Sequence, residues 1–333
     1  MQVQPLLQQL SKASGIGHQL QVFDVIKSFL PSVFSVKEQE QYLLAQWNCG
    51  AEKTILLEAH VDEVGMIVTE VQDDGFLSVA PVGSLDGRFL PSMPVKVLGK
   101  KTGSGVFTSV PPHIKKGETV PDFENCYIDT GIKNIGEIIS LGDIAVFDAK
   151  PIWISDNRIT SKALDNRAGV AAVISAGERL AKANCPVNVV LLFPMGEELG
   201  LRGARVATFG LDIDESISVD VSFGDCPDVS ESKTAKLGSG AMIGVSPVLS
   251  RNIYKKLKAT AEDKKLPHTL EVMGGNTSTD ADIITLSGSG IPSGLASIPL
   301  RNMHTPVEVA DLRDVEATAS LLYEYVLGGG LND

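Results

Sequence analysis

The sequence predicts an α/β protein interrupted by a small β-barrel-like insert. Three observations carry this reading. Helical spacing of apolar residues alternates with buried-strand runs toward both ends of the chain. Between about Met66 and Ile154 that alternation gives way to short β-like runs separated by turn signals. A length of 333 residues also suits about two domains. We therefore place an α/β domain at residues 1–66 and 155–333, built from both ends, and the inserted β domain at 67–154.

In order, Leu6, Leu7 and Leu10 mark a short amphipathic helix, broken at Ser14-Gly15-Ile16-Gly17. Val22, Val25, Ile26 and Phe29 mark a second helix, which Pro31 stops. Tyr42 to Trp47 and Thr54 to Ala59 read as strands around an Asn48-Cys49-Gly50 turn. The insert carries turn signals at Asp73-Asp74-Gly75, Leu85-Asp86-Gly87, Leu98-Gly99, Thr102-Gly103, Lys116-Gly117 and Leu141-Gly142. Beyond Asn157, Gly169 to Ala183 reads as an Ala-rich amphipathic helix, Val187 to Phe193 as a strand and Gly200 to Thr208 as a helix. A strand at Ser216 to Phe223, a helix at Arg251 to Asp263, a strand reached through Gly290 to Ile298 and a closing helix from Val309 to Leu327 complete the pattern.

Composition narrows the function classes. Lys plus Arg total 29 and Asp plus Glu 41, a net charge of −12. This argues against nucleic-acid or anionic-membrane partners, which want a basic face. The cysteines Cys49, Cys126, Cys185 and Cys226 stand singly, so neither a zinc ribbon nor a disulfide framework is expected. No apolar run reaches membrane-spanning length and the first residues do not read as a signal peptide, so a cytoplasmic chain is expected.

Chemistry-bearing residues collect where the buried strands end. Ile55–Ala59 is followed by His60-Val61-Asp62-Glu63, and Val189–Phe193 by Gly196-Glu197-Glu198. Asp220 follows Ile217–Val219, and His304 follows the strand leading to Ile298. Asp165 precedes the Ala-rich helix. Ligands of open α/β sheets bind beyond the carboxyl ends of the strands. His, Asp and Glu gathered there suit a borderline metal such as zinc, cobalt or manganese.

Taken singly, each residue has a structural reading. His60 and Asp62 fit a polar loop, Glu197-Glu198 the first turn of a helix, and Asp165-Asn166 an N-cap. Asp220 is the odd one, because Asp is depleted in strands and costly to bury unpaired. Their joint occurrence at successive strand ends favours the metal.

Five motifs then make the chain resemble a family M42 metallopeptidase, the aminopeptidase group that includes the tetrahedral ones. They are Ala59-His60-Val61-Asp62-Glu63-Val64-Gly65, Ala163-Leu164-Asp165-Asn166-Arg167-Ala168-Gly169, Glu197-Glu198-Leu199-Gly200-Leu201-Arg202-Gly203-Ala204, Val219-Asp220-Val221, and Ile298-Pro299-Leu300-Arg301-Asn302-Met303-His304-Thr305-Pro306. The resemblance implies a mixed-sheet metallopeptidase catalytic domain with a β-barrel-like insert. It implies His60, Asp165, Glu198, Asp220 and His304 as ligands of two divalent metal ions, zinc or cobalt first and manganese next, with Asp165 bridging. Glu197 is implied as the general base acting on a metal-bound hydroxide, and Asp62 as the carboxylate orienting His60. Short peptides are the implied substrates, and a homo-oligomer from dimer to dodecamer, driven by the insert, the implied assembly.

The chain departs from the family pattern at Gly15-Ile16-Gly17-His18-Gln19, where an acidic residue is usual. Asn302 stands for a tyrosine, and Ser278 for a glycine before Thr279-Asp280-Ala281. None of these is a proposed ligand.

The charge arithmetic agrees with the reading. Two divalent ions about 3.5 Å apart repel by roughly 4–5 kcal/mol even at the dielectric of water. Asp165, Glu198 and Asp220, with a hydroxide, supply four negative charges against four positive. The competing readings are a deacylase or deblocking enzyme on the same site, and a binding protein that keeps the fold without activity. A glycosidase is disfavoured, because it needs two carboxylates flanking a sugar rather than a metal pair.

Overall fold

The computed structural model describes residues 3–111, 113–114 and 120–331. The chain runs α1 (Val3–Leu10), α2 (Gln21–Phe29), β1 (Ser35–Gln39), β2 (Tyr42–Trp47) and β3 (Thr54–Glu58). Then come β4 (Gly65–Val71), β5 (Phe76–Val82), β6 (Pro94–Leu98), β7 (Thr102–Phe107), β8 (Ile128–Asp129) and β9 (Ile144–Phe147). The chain continues through β10 (Ile152–Trp153), β11 (Arg158–Ser161), α3 (Leu164–Leu180), β12 (Asn188–Pro194), α4 (Arg202–Thr208) and β13 (Glu215–Phe223). It closes with β14 (Ala241–Val245), α5 (Arg251–Asp263), β15 (His268–Val272), α6 (Ala281–Ile284), β16 (Ser293–Arg301), β17 (Glu308–Asp311) and α7 (Leu312–Leu327).

Strands β4 to β9 close into a barrel in the order β4-β5-β8-β7-β6-β9. Its interior is apolar, with Met66, Val68, Leu77, Val79, Val95, Val97, Phe107, Ile128 and Ala145 buried together. The other eleven strands form one mixed sheet, whose main path is β1-β2-β12-β3-β13-β16-β17-β11-β10. Its centre is parallel: β12 pairs with β3, β3 with β13, and β13 with β16. The carboxyl ends of four neighbouring strands therefore open on one edge, next to where the chain leaves for the barrel.

Alternation along the strands sorts the two faces of the sheet. Ile55 and Leu57 join the larger core beneath α1, α3, α5 and α7, whereas Leu56, Val190 and Leu192 pack on the other side with α4 and α6. Helix α3 is buried nearly all round from Leu164 to Gly177, so it is not the amphipathic surface helix its composition suggests. Sandwiched between the sheet and α1 and α7, it needs Ala and Gly to let its neighbours approach: a Cβ on Gly177 would sit 2.7 Å from the Leu191 side chain.

Several sequence expectations are corrected. The closing helix begins at Leu312, because Glu308–Asp311 pairs with β11 and β16 as β17. Thr102-Gly103 opens β7 instead of making a turn. Strand β1 is exposed along its length and so lacks the apolar alternation that marks a strand. The turn expected at Lys116-Gly117 lies outside the described residues.

Candidate metal centre

His60 lies two residues beyond the buried end of β3 and Asp220 lies inside β13, one strand over. Both are buried, at 2% and 7% exposure. His60 Nε2 lies 3.3 Å from Asp165 Oδ1 and 3.6 Å from Asp220 Oδ1. The second oxygen of Asp165, Oδ2, lies 3.3 Å from His304 Nε2, which is also 3.2 Å from Glu198 Oε1. Asp165 thus stands between two imidazoles with one oxygen toward each. Two groups of potential ligand atoms result: His60, Asp165 and Asp220, and Asp165, Glu198 and His304.

Local structure explains how Asp165 is free to point inward. The residue is buried, but its backbone is extended (ψ 106°) and does not continue the helical path of α3. The capping contact of this pair belongs to Asn166, whose Oδ1 accepts from Gly169 N at 3.1 Å and whose Nδ2 donates to Val219 O at 2.7 Å. Asn166 therefore ties α3 to β13 and leaves the Asp165 carboxylate to the cluster.

Glu197 and Glu198 lie between β12 and α4, so they are not in a helix's first turn. Asp62 holds that turn: its Oδ1 accepts from Glu197 N at 3.1 Å and its Oδ2 from Glu198 N at 3.2 Å. Oδ1 is also 3.4 Å from His60 Nδ1, a buried nitrogen with no hydrogen bond. Asp62 is thus placed to orient both His60 and the Glu197-Glu198 turn. Gly83, with φ +80°, packs against the same turn. A Cβ there would meet Val64 Cγ1 at 2.9 Å and Glu198 Cβ at 3.3 Å. The carbonyl of the next residue, Ser84, lies 3.1 Å from His304 Nδ1.

Three supports were not legible in the motifs. Glu308 Oε2 accepts from Asp165 N at 3.1 Å and its Oε1 from His304 N at 2.9 Å, so one carboxylate aligns a residue from each part of the cluster. Glu63 forms an ion pair with Lys162, lies 3.7 Å from Arg167 Nη2, and exchanges hydrogen bonds with Gly15. The loop that lacks the family's usual acidic residue is therefore fastened by Glu63. Buried Arg167 donates to Leu10 O and Ala13 O, holding the turn that follows α1. Apart from Glu308–His304, four positions apart, these contacts join residues distant in the chain, which is why spacing alone conceals them.

The electrostatics favour positive charge within the cluster. Burial opposes a charge on His60, yet Asp220, Asp165 and Asp62 hold its pKa well above the usual value. His304 reaches about 11, since Asp165 and Glu198 outweigh its own burial. Burial pushes Glu58 up to about 8, with Asp220 adding to the rise. Glu58 Oε1 and both oxygens of Asp280 are buried without hydrogen-bond partners. Imidazole nitrogens and carboxylates facing one another, with more carboxylate than protein cation nearby, form a donor set that suits borderline divalent metals. His60, Asp165, Glu198, Asp220 and His304 line a cavity of about 650 Å³ that also includes Glu197 and Glu271.

Comparison with known proteins agrees with this arrangement. The model of the M42 glutamyl aminopeptidase family matches residues 44–321. The lysyl aminopeptidase of Pyrococcus furiosus is 29% identical over 82% of this chain and 81% of its own length. An aminopeptidase of the archaeon Desulfurococcus kamchatkensis superposes with a TM-score of 0.91 at 32% identity, covering 98% of this chain and 95% of that one. A Pyrococcus horikoshii peptidase that can assemble into a tetrahedron or a large octahedral shell superposes at 0.87 with 26% identity, covering 97% and 99%. With the family matched across most of its length, and with its aminopeptidase fold in place around the clustered strand-end residues, this chain belongs to the M42 glutamyl aminopeptidase family and is a hydrolase of the aminopeptidase type.

Proposed function

We propose that this aminopeptidase removes N-terminal residues from short peptides with two divalent cations, zinc or cobalt first and manganese next. His60, Asp165 and Asp220 hold one, and Asp165, Glu198 and His304 hold the other. The observation that carries this reading is the Asp165 carboxylate, one oxygen facing each imidazole. When bound, such a pair of cations supplies Lewis acidity: it polarises the scissile carbonyl, makes a water more acidic and offsets charge developing on oxygen.

The chain's own groups do the rest. Glu197 lines the cavity without belonging to either ligand group. Its carboxylate takes the proton of the attacking water and returns it to the leaving amine. With protein charges alone, burial pushes Glu197 up to about 9, and Asp220, Asp280 and Glu198 add to the rise while His60 opposes it. Glu197 would be favoured in the ionised form that accepts a proton once the cluster held cations, as it is by His60. Asp62 fixes the backbone of Glu197 and Glu198, so the two neighbouring carboxylates keep separate tasks.

Glu197→Gln keeps size and hydrogen bonding but cannot accept the proton. It is expected to retain wild-type metal content and to lose about 10²–10⁴-fold in kcat. Near-normal turnover in this variant removes Glu197 from the role of base. Glu198→Gln is expected to lose metal instead, with partial recovery at excess metal.

For assembly, the insert at residues 67–154 is the proposed oligomerisation unit, since the Pyrococcus horikoshii relative forms closed shells. A homo-oligomer between a dimer and a dodecamer gives a light-scattering mass well above 35.4 kDa. A monomer with full activity contradicts it.

A further inference from the structure

The cavity extends past the metal-ligand cluster along the sheet. Asp220 lies opposite Ser297 in the β13–β16 pairing, and Ser222, two residues beyond Asp220 on β13, is on the same face as Asp220. Above them sits Glu271 of β15, which enters the sheet through β14. Ser222 Oγ donates to Glu271 Oε1, and Ser297 Oγ donates to Oε2 at 2.7 Å. Each carboxylate oxygen therefore has one neutral donor and lone pairs to spare.

Glu271 belongs to neither ligand group, so cations held there leave its charge unmatched. Among the described residues, those lining the cavity include no Lys and no Arg. A half-buried carboxylate with hydroxyl donors and no countercharge is costly unless a ligand brings the charge. The route to it has apolar walls, Leu295 and Met273. Ser222 is about 7 Å along β13 from Asp220, and Ser297 is one interstrand spacing, about 5 Å, across from it, so Glu271 lies within reach of a long side chain held at the cluster. A four-carbon stem can lie along such walls while its cationic head reaches the polar end.

The family description names glutamate and one relative's name lysine, so membership alone leaves the preferred residue open. Resting on the aminopeptidase site proposed above, we propose that Glu271 makes this enzyme select a basic N-terminal residue, Lys or Arg, by receiving its cationic head at the far end of the cavity. An acidic N-terminal residue would meet the same carboxylate as a like charge, and a short aliphatic one would leave it unpaired.

The test is steady-state kinetics of the metal-loaded, full-length enzyme on the p-nitroanilides of Lys, Arg, Leu and Glu, repeated with Glu271→Gln. The wild type is expected to give kcat/KM for Lys and Arg at least about 10-fold above Leu, and Glu is expected to be poorest. A charged hydrogen-bonding partner accounts for about 10–100-fold, so Glu271→Gln is expected to lower the Lys-to-Leu ratio by that factor. A wild-type preference for Leu or Glu overturns the inference while leaving the aminopeptidase site standing. Equal losses on all four substrates in Glu271→Gln also overturn it, since they make Glu271 an anchor of the common α-amine or of the fold. Hydrolysis of none of the four by metal-loaded wild type overturns the site reading and this inference with it.

Discussion

The two groups of candidate ligands share Asp165 but are built differently. The His60 group rests on parallel strands in the middle of the sheet, and His60, Asp165 and Asp220 are all buried. The His304 group depends on loops: His304 has a side chain 27% exposed and a left-handed backbone, φ +60°. Their outer supports differ too. His60 Nδ1 faces the Asp62 carboxylate, whereas His304 Nδ1 faces the Ser84 carbonyl, brought by the loop between the barrel strands β5 and β6. A carboxylate raises the basicity of an imidazole ligand more than a neutral carbonyl does. The strand-borne half is therefore expected to hold its ion more firmly, and the loop-borne half to exchange its ion and face solvent and substrate.

A ligand-removal series sharpens this contrast. Asp165→Asn has the largest expected effect, because it weakens both halves at once: metal content near zero and activity down at least about 10³-fold, equivalent to several kcal/mol of lost Lewis-acid assistance. His60→Ala comes next. It removes a ligand from a buried set of carboxylates, and excess metal is expected to restore little. His304→Ala is the mildest: one ion per chain retained, and activity partly recovered at a metal concentration raised roughly 10–100-fold, the range seen for losing even an outer partner. Elemental analysis and metal-dependent rates measure all three, and equal behaviour of the two histidine variants removes the asymmetry.

Much of this centre was legible in the sequence because strand ends are local signals. His60, Glu197, Glu198 and Asp220 follow or occupy apolar runs that read as buried strands, and it is their joint occurrence at successive strand ends, not any one of them, that points to a site. Asp220 was the clearest, as an acidic residue inside a strand. What was not legible depends on pairing. Glu308 lies in β17, which reads as helix because Val309, Leu312 and Val315 fall at helical spacing; only its pairing with β11 and β16 makes it a strand. Strands β14 and β15 gave no separate signal, and with them Glu271 escaped notice. The Glu63–Lys162 pair joins residues 99 positions apart. The change at Asn302 has a local account: its φ is +57°, a conformation Asn tolerates, and its Nδ2 donates to Val307 O at 3.0 Å.

Asp165 is expected to join two unequal metal sites into one centre. This is tested most directly by calorimetric titration of zinc, and separately cobalt, into chelator-stripped protein. The account predicts two ions bound per chain in two resolved steps, with aminopeptidase activity complete only as the second, weaker step fills. Saturation at one ion per chain, or full activity in the stripped protein, contradicts it.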